Sequence, residues 1–206
     1  MMIALKGHVL EYVDEGHIYL VDGVIVPSVT QVLQKRFGHK YDCIDREVLN
    51  NAAARGTAIH AAVEAYCTAG EVDGSPEVSG FRWLQKQYGF DVLANELPVI
   101  LFDGEKPVAA GRLDMVLKMG DEIGGADIKT TSALDREYTA LQLNLYRVAY
   151  RQCYGDEWKF LAAIHLRKDV RRFVPLPINE EMALALVREY LEDERSRDDE
   201  QSGFDW

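Results

Sequence analysis

Several things are scarce in this sequence of 206 residues. No apolar run approaches the ~18 residues that a membrane-crossing helix needs, so no membrane partner is expected. Met1 to Lys6 lacks the long apolar stretch and cleavage site of a secretory signal, which makes the cytoplasm the expected compartment. Cysteine is limited to Cys43, Cys67 and Cys153, an odd and widely spaced set without a C-x-x-C motif. That pattern argues against a disulfide framework and structural zinc, and leaves buried free thiols as the expectation. No Walker A sequence is present, so no nucleotide cofactor is expected. No Pro/Gly/Ser-rich linker, internal repeat or low-complexity tract divides the chain, and one domain over residues 1–206 is expected.

Positive charge is also in short supply. With 23 Lys and Arg against 34 Asp and Glu, the formal net charge is −11, unlike the basic balance of a generic nucleic-acid binder. The deficit is local. Between Glu180 and Trp206 ten acidic residues face only Arg188, Arg195 and Arg197, so that segment carries −7 and the rest −4. The segment 180–206 reads as an acidic helix ending in a solvated tail, and a basic groove elsewhere stays open.

What is present is a hydrophobic content of 48%, ample for one buried core, arranged in readable periods. His8 to Val26 alternates apolar and polar residues around Glu15-Gly16 and Asp22-Gly23, which predicts short antiparallel strands. Ser28 followed by Gln31 has capping-box spacing and predicts a helix start. The basic cluster from Lys35 and Arg36 to His39 and Lys40 falls at that helix's end, suited either to its dipole or to a phosphate. Helices are predicted over 46–67, 77–88, 134–154 and 179–194. Strands are predicted over 96–102, 108–119 and 122–129, a meander, and then over 158–166 and 170–175, a hairpin. The order predicts an α/β fold with helices packed on a sheet.

The chemistry concentrates in Gly111-Arg112-Leu113-Asp114 and Gly125-Ala126-Asp127-Ile128-Lys129. Asp127 and Lys129 are two apart on a strand and share a face. Opposite charges on a mostly apolar strand are expensive to bury without a purpose. Antiparallel pairing can bring Asp114 beside Asp127, and two carboxylates then suit a hard cation such as Mg²⁺ or Mn²⁺. Lys129 would orient an attacking water, serve as the catalytic base or stabilise developing negative charge. Arg112, a strand neighbour of Asp114, is expected to point to the other face and form a salt bridge outside the site. Glu64, one turn past His60, is a further candidate metal ligand. Arg167, Lys168, Arg171 and Arg172 cluster at a predicted hairpin turn as candidate phosphate contacts.

Asp114, Asp127 and Lys129 together resemble the PD-(D/E)XK nuclease superfamily. Flanking elements extend the likeness to its RecB-like and phage-exonuclease branch. Upstream stands Gly56-Thr57-Ala58-Ile59-His60, preceded by Arg55; downstream stand Gln142 and Tyr146, i and i+4 on one helix. Val26-Pro27-Ser28-Val29-Thr30 is similar to the opening of phage-type members, so the likeness covers roughly residues 20–150. The resemblance implies a restriction-endonuclease-like core, with a central mixed sheet containing an antiparallel meander and flanked by helices. It implies His60, Asp114, Asp127 and the Ile128 main-chain carbonyl as metal ligands, with Glu96 near the metal or DNA. Gln142 and Tyr146 would position substrate, and Arg55 would contact DNA. Some relatives hold an iron–sulfur cluster on four cysteines. Here there are three cysteines and none after Cys153, so that cluster is not expected. The second acid is Asp127 where Glu is commoner.

The expected function is therefore Mg²⁺- or Mn²⁺-dependent hydrolysis of DNA, exonucleolytic, in phage or bacterial recombination, repair or DNA processing. A structure-specific endonuclease and a non-cleaving DNA-binding or assembly module stay open as alternatives. The acidic balance leaves sustained grip on DNA to a homo-oligomer or to a recombination or helicase partner.

Overall fold

The computed structural model describes residues 1–38 and 45–202, with side chains through residue 197. His39, Lys40, Cys43 and the end of the acidic tail lie outside the described residues. The alternating N-terminal segment forms β1 (Met2–Leu5), β2 (His8–Val13), β3 (Ile18–Val21) and β4 (Val24–Val26), an antiparallel four-stranded sheet in chain order. Its inner residues Leu5, Leu10, Val21 and Val26 bury against Ile100 and Ala110 of a larger sheet. Main chain fixes the docking, since Ala110 N donates to Pro27 O at 3.0 Å beside a parallel bridge between Ser28 and Ala110.

Ser28 then caps α1 (Val29–Phe37). Its Oγ accepts from Gln31 N at 3.0 Å and Gln31 Oε1 accepts from Ser28 N at 2.7 Å, the expected reciprocal pair. α2 (Arg46–Ala69) and α3 (Pro76–Tyr88) follow, each closed by a left-handed glycine, Gly70 and Gly89.

The larger, five-stranded sheet holds β5 (Phe90–Asp103), β6 (Lys106–Met119), β7 (Glu122–Lys129), β8 (Phe160–Arg167) and β9 (Val170–Leu176) in that order. Its neighbours are antiparallel except β7 and β8, which are parallel because α4 (Arg136–Tyr154) crosses over between them. α5 (Glu180–Ser202) ends the described chain. One face of the sheet packs Leu101, Val116, Leu161 and Ala163 under α1, α4 and α5 through Leu33, Leu145 and Leu186. The other packs Met115, Leu117, Ile128 and Ile164 under α2 and α3 through Ile59, Val63 and Phe81. The result is an α/β fold of two sheets, one antiparallel and one mixed, with five helices among the described residues.

Two expectations need correcting. The first meander strand begins at Phe90, not at Glu96, because a register shift and an irregular backbone break its alternation. Cys67 and Cys153 are free but only half-buried. Among the described residues no helix is long and apolar enough to cross a membrane.

Candidate functional site

β6 leaves β7 at one residue and misses a single rung of its ladder with β5 there. Its pairing with β7 ends at Met115↔Ala126, and its pairing with β5 passes from Asn95↔Met115 to Leu97↔Leu113. On β5 the intervening Glu96 has φ of 49°, a left-handed backbone that residues with side chains rarely adopt. Asp114 occupies this gap, and its carboxylate takes the place of a strand partner: Oδ2 accepts from Ile128 N at 2.8 Å. β7 meanwhile stays paired to β8 through Asp127↔Ala163 and Lys129↔His165. A cleft of about 460 Å³ opens here, lined in part by His60, Glu96, Arg112, Asp114, Asp127 and Lys129.

α2 delivers His60. Its Gly56 approaches β7 so closely that a Cβ there would lie 3.3 Å from Thr130 Oγ1. One turn later, His60 Nε2 sits 3.0 Å from Ile128 O and Nδ1 sits 3.4 Å from Asp114 Oδ2. His60, Glu96 and Asp114 each offer a ligand atom, all within 4.8 Å of one another.

α4 delivers the other half. Lys129 Nζ donates to Gln142 Oε1 at 2.9 Å and lies 2.7 Å from Asp127 Oδ2. The latter contact is a buried ion pair that gives Asp127 Oδ2 its charge partner. One turn past Gln142, the Tyr146 ring rests on the bare backbone of Gly111. A Cβ there would come within 2.8 Å of Tyr146 Cε1, which is why glycine opens the Gly-x-x-Asp element.

Burial, and then the Asp127 carboxylate, push the Asp114 carboxyl well above its usual range, against the pull of Lys129. Burial also raises Glu96, opposed chiefly by Arg112. For Lys129 burial acts downward, but the Asp127 and Asp114 carboxylates outweigh it and hold the ammonium above its ordinary value. Burial raises Tyr146 well above a free phenol.

Of the residues singled out in the sequence, His60, Glu96, Asp114, Asp127, Lys129, Gln142 and Tyr146 all line this cleft. Arg112 corrects an expectation. It too lines the cleft, because residues two apart on a strand share a face, and its salt bridge is to Glu96 within the site. The Ile128 carbonyl is at the site but faces His60 Nε2. Glu64 is half-buried and outside the cleft lining, since a further helical turn carries it about 5.4 Å along α2.

The expected DNA contacts lie outside the cleft lining. Arg55 is exposed and pairs with Glu77 of α3 at 2.9 Å. Lys35 pairs with Asp193 and lies 5.7 Å from the Tyr190 ring, joining α1 to α5. Arg36 sits over the Phe37 ring at 5.9 Å. Arg167, Lys168 and Arg171 line a separate hollow at the β8–β9 turn, beside Pro76 and Gly80. Tyr12, His17, Tyr19 and Thr30 also line the cleft and were not singled out. The available signal was the aromatic pair itself, since Tyr12 and Tyr19 face each other across β2 and β3.

No protein-family model matches the chain, and no curated protein matches it. Among solved structures it is similar to the crystal structure of SSO0001, with a TM-score of 0.47 and 15% sequence identity over 81% of this chain and 75% of that one.

Proposed function

We propose that this protein is a Mg²⁺- or Mn²⁺-dependent deoxyribonuclease with a restriction-endonuclease-like core, acting exonucleolytically in phage or bacterial recombination, repair or DNA processing. One observation carries the reading. Asp114, Asp127 and Lys129 converge with His60 and Glu96 in a single cleft, at the point where β6 parts from β7.

His60, Glu96 and Asp114 would hold the cation, with Asp127 lining the same cleft in its ion pair with Lys129. A divalent ion there supplies Lewis-acid polarisation of the phosphate and a lowered pKa for an attacking water. Lys129 works as a cation. Its proton is held by two carboxylates, so at neutral pH it stabilises negative charge developing on the phosphate instead of removing a proton. An ammonium has three donors. Asp127 and Gln142 hold Lys129 on two sides and leave the third for substrate. Tyr146, packed on Gly111, fixes the floor of the cleft beneath these groups.

The test is digestion of end-labelled linear DNA and covalently closed circular DNA with Mg²⁺, Mn²⁺ or chelator. The expected result is metal-dependent loss of linear DNA with the circle intact. Lys129→Ala should lower the rate by roughly 10²–10³-fold, the scale of removing one charge-stabilising donor. Full activity of that variant would overturn the mechanism. Cleavage of the circle would mark an endonuclease. Mn²⁺ binding without hydrolysis of either substrate would mark a binding module.

A further inference from the structure

We propose that the cleft wall formed by β2, β3 and Arg112 is a second phosphate site, at which the Arg112 guanidinium grips the phosphodiester next to the scissile one. This rests on the nuclease reading and adds a polynucleotide subsite to it.

Arg112 is braced on an edge and on a face. Nε lies 2.5 Å from Glu96 Oε2, and the guanidinium carbon lies 5.5 Å from the centre of the Tyr12 ring. Tyr12 is itself immobilised, with its hydroxyl 2.5 Å from His17 Nδ1 and its ring 4.8 Å from that of Tyr19. Docking of the small sheet on β6 through Pro27 and Ala110 sets this scaffold in place.

Despite the bracing, 41% of the Arg112 side-chain area stays exposed. Among the described residues no hydrogen bond or ion pair engages its terminal nitrogens, and the side chain lines the cleft. A guanidinium carries five N–H donors in a rigid fork that matches phosphate oxygens in pairs. Glu96 takes Nε, which leaves the terminal nitrogens for a phosphate. Nothing in a plain surface salt bridge calls for an aromatic scaffold under the arginine or for a left-handed backbone at its partner.

The charges in the cleft suit one phosphate, so a second one rests on free donors. Glu96, Asp114 and Asp127 exceed Arg112 and Lys129 by one negative charge when all are ionised. A divalent cation reverses that excess to one positive charge, which a scissile phosphodiester neutralises. Lys129 is already engaged by Asp127 and Gln142, so Arg112 is the cleft cation with donors to spare for a second phosphate. A nucleoside joined to that phosphate meets Tyr19 and His17, whose rings offer stacking surface that does not depend on base identity.

The test measures binding, not turnover. A fluorescein-labelled single-stranded oligonucleotide is titrated in Ca²⁺ by anisotropy at several salt concentrations, against wild type, Arg112→Gln, Arg112→Lys and Glu96→Gln. Mn²⁺ affinity of each is measured separately by calorimetry without DNA. Arg112→Gln is expected to weaken oligonucleotide binding at least tenfold and to flatten the salt slope by about 0.7, the loss of one single-strand phosphate contact. Arg112→Lys should recover only part of the affinity, because a point charge lacks the fork. Glu96→Gln should weaken Mn²⁺ binding with a smaller effect on DNA.

Wild-type affinity and slope in Arg112→Gln would overturn the proposal. So would a parallel loss of Mn²⁺ binding in Arg112→Gln and Glu96→Gln, which would make Arg112 a holder of Glu96 only. Should Arg112→Gln fail to fold, Arg112→Lys decides the matter, since full retention of affinity and slope contradicts fork recognition. Oligonucleotide binding that depends on Arg112, without hydrolysis in Mg²⁺ or Mn²⁺, overturns the nuclease reading and leaves this one standing.

Discussion

At Asp114 the fold and the proposed chemistry favour opposite protonation states. Burial and the neighbouring Asp127 carboxylate raise its pKa, whereas a cation ligand must be ionised. A carboxyl raised above its unfolded value contributes stability at pH below that unfolded value, near 3.8, and loses the contribution as pH rises through the folded pKa. In the metal-free protein, ionised Asp114 is therefore a liability at neutral pH. Asp114→Asn removes the charge and keeps an oxygen that can accept from Ile128 N, the bond at 2.8 Å. The variant should match wild type near pH 4 and exceed it increasingly toward pH 8, by roughly 2–4 °C in Tm per kcal/mol recovered. Thermal melts in chelator across that range check this. A variant less stable than wild type at pH 8 would show that the Asp114 charge is not strained. Glu96 adds a second strain at the same place, in its backbone. Left-handed geometry of this kind costs on the order of 1–3 kcal/mol, and the pairing with Arg112 at 2.5 Å holds it there.

Among the elements, β7 depends most on the absence of side chains. A Cβ on Gly125 would lie 2.0 Å from the Trp158 ring, which is fully buried, and one on its neighbour Gly124 would lie 2.5 Å from Phe160 O. The two glycines let the start of β8 close against β7, while Arg147 Nε of α4 ties down Trp158 O at 2.9 Å. Gly125→Ala should cost about 3 kcal/mol, the upper range for overpacking, and lower Tm by roughly 6–12 °C. A shift under ~2 °C in thermal melts would mean the Trp158 ring has room to move. Much of this arrangement was legible in the sequence because it is periodic. Asp127 and Lys129 stand at strand spacing, Gln142 and Tyr146 at helix spacing, and Ser28 with Gln31 at capping-box spacing, so each local element followed from residue types. What stayed hidden is tertiary. No residue type announces the parting of β6 from β7 at Asp114 or the left-handed backbone of Glu96 on β5. Tyr12, His17 and Tyr19 reach the cleft only because one sheet docks on another. Lys35 looked like a phosphate contact because a basic cluster at a helix end serves either use. Packing of α5 on α1 gave it Asp193 instead.

On the scale of the whole molecule, a net charge of −11 attracts any cation, so a rise in stability on adding metal is not by itself a sign of a site. The charge is unevenly spread, however. Most of the excess belongs to the segment from Glu180 onward, whereas the three-ligand cluster lies in the cleft, on residues of α2, β5 and β6. Diffuse attraction to α5 is screened by salt, with a Debye length of about 8 Å at physiological ionic strength, while ligation in a buried cleft is screened much less. The two contributions therefore separate. For wild type at a free Mn²⁺ concentration near 100 times the dissociation constant, linkage gives about 2.7 kcal/mol, a rise of roughly 5–11 °C in Tm that persists in 0.3 M KCl, about twice physiological ionic strength. Asp114→Asn changes the total charge by a single unit, so it keeps the diffuse response and should lose the salt-resistant one. It begins from a higher Tm in chelator and gains little with Mn²⁺, so that the two melting curves converge or cross as the ion is added. Equal, salt-sensitive gains in both proteins would assign the cation to the acidic surface and remove the cleft as its site.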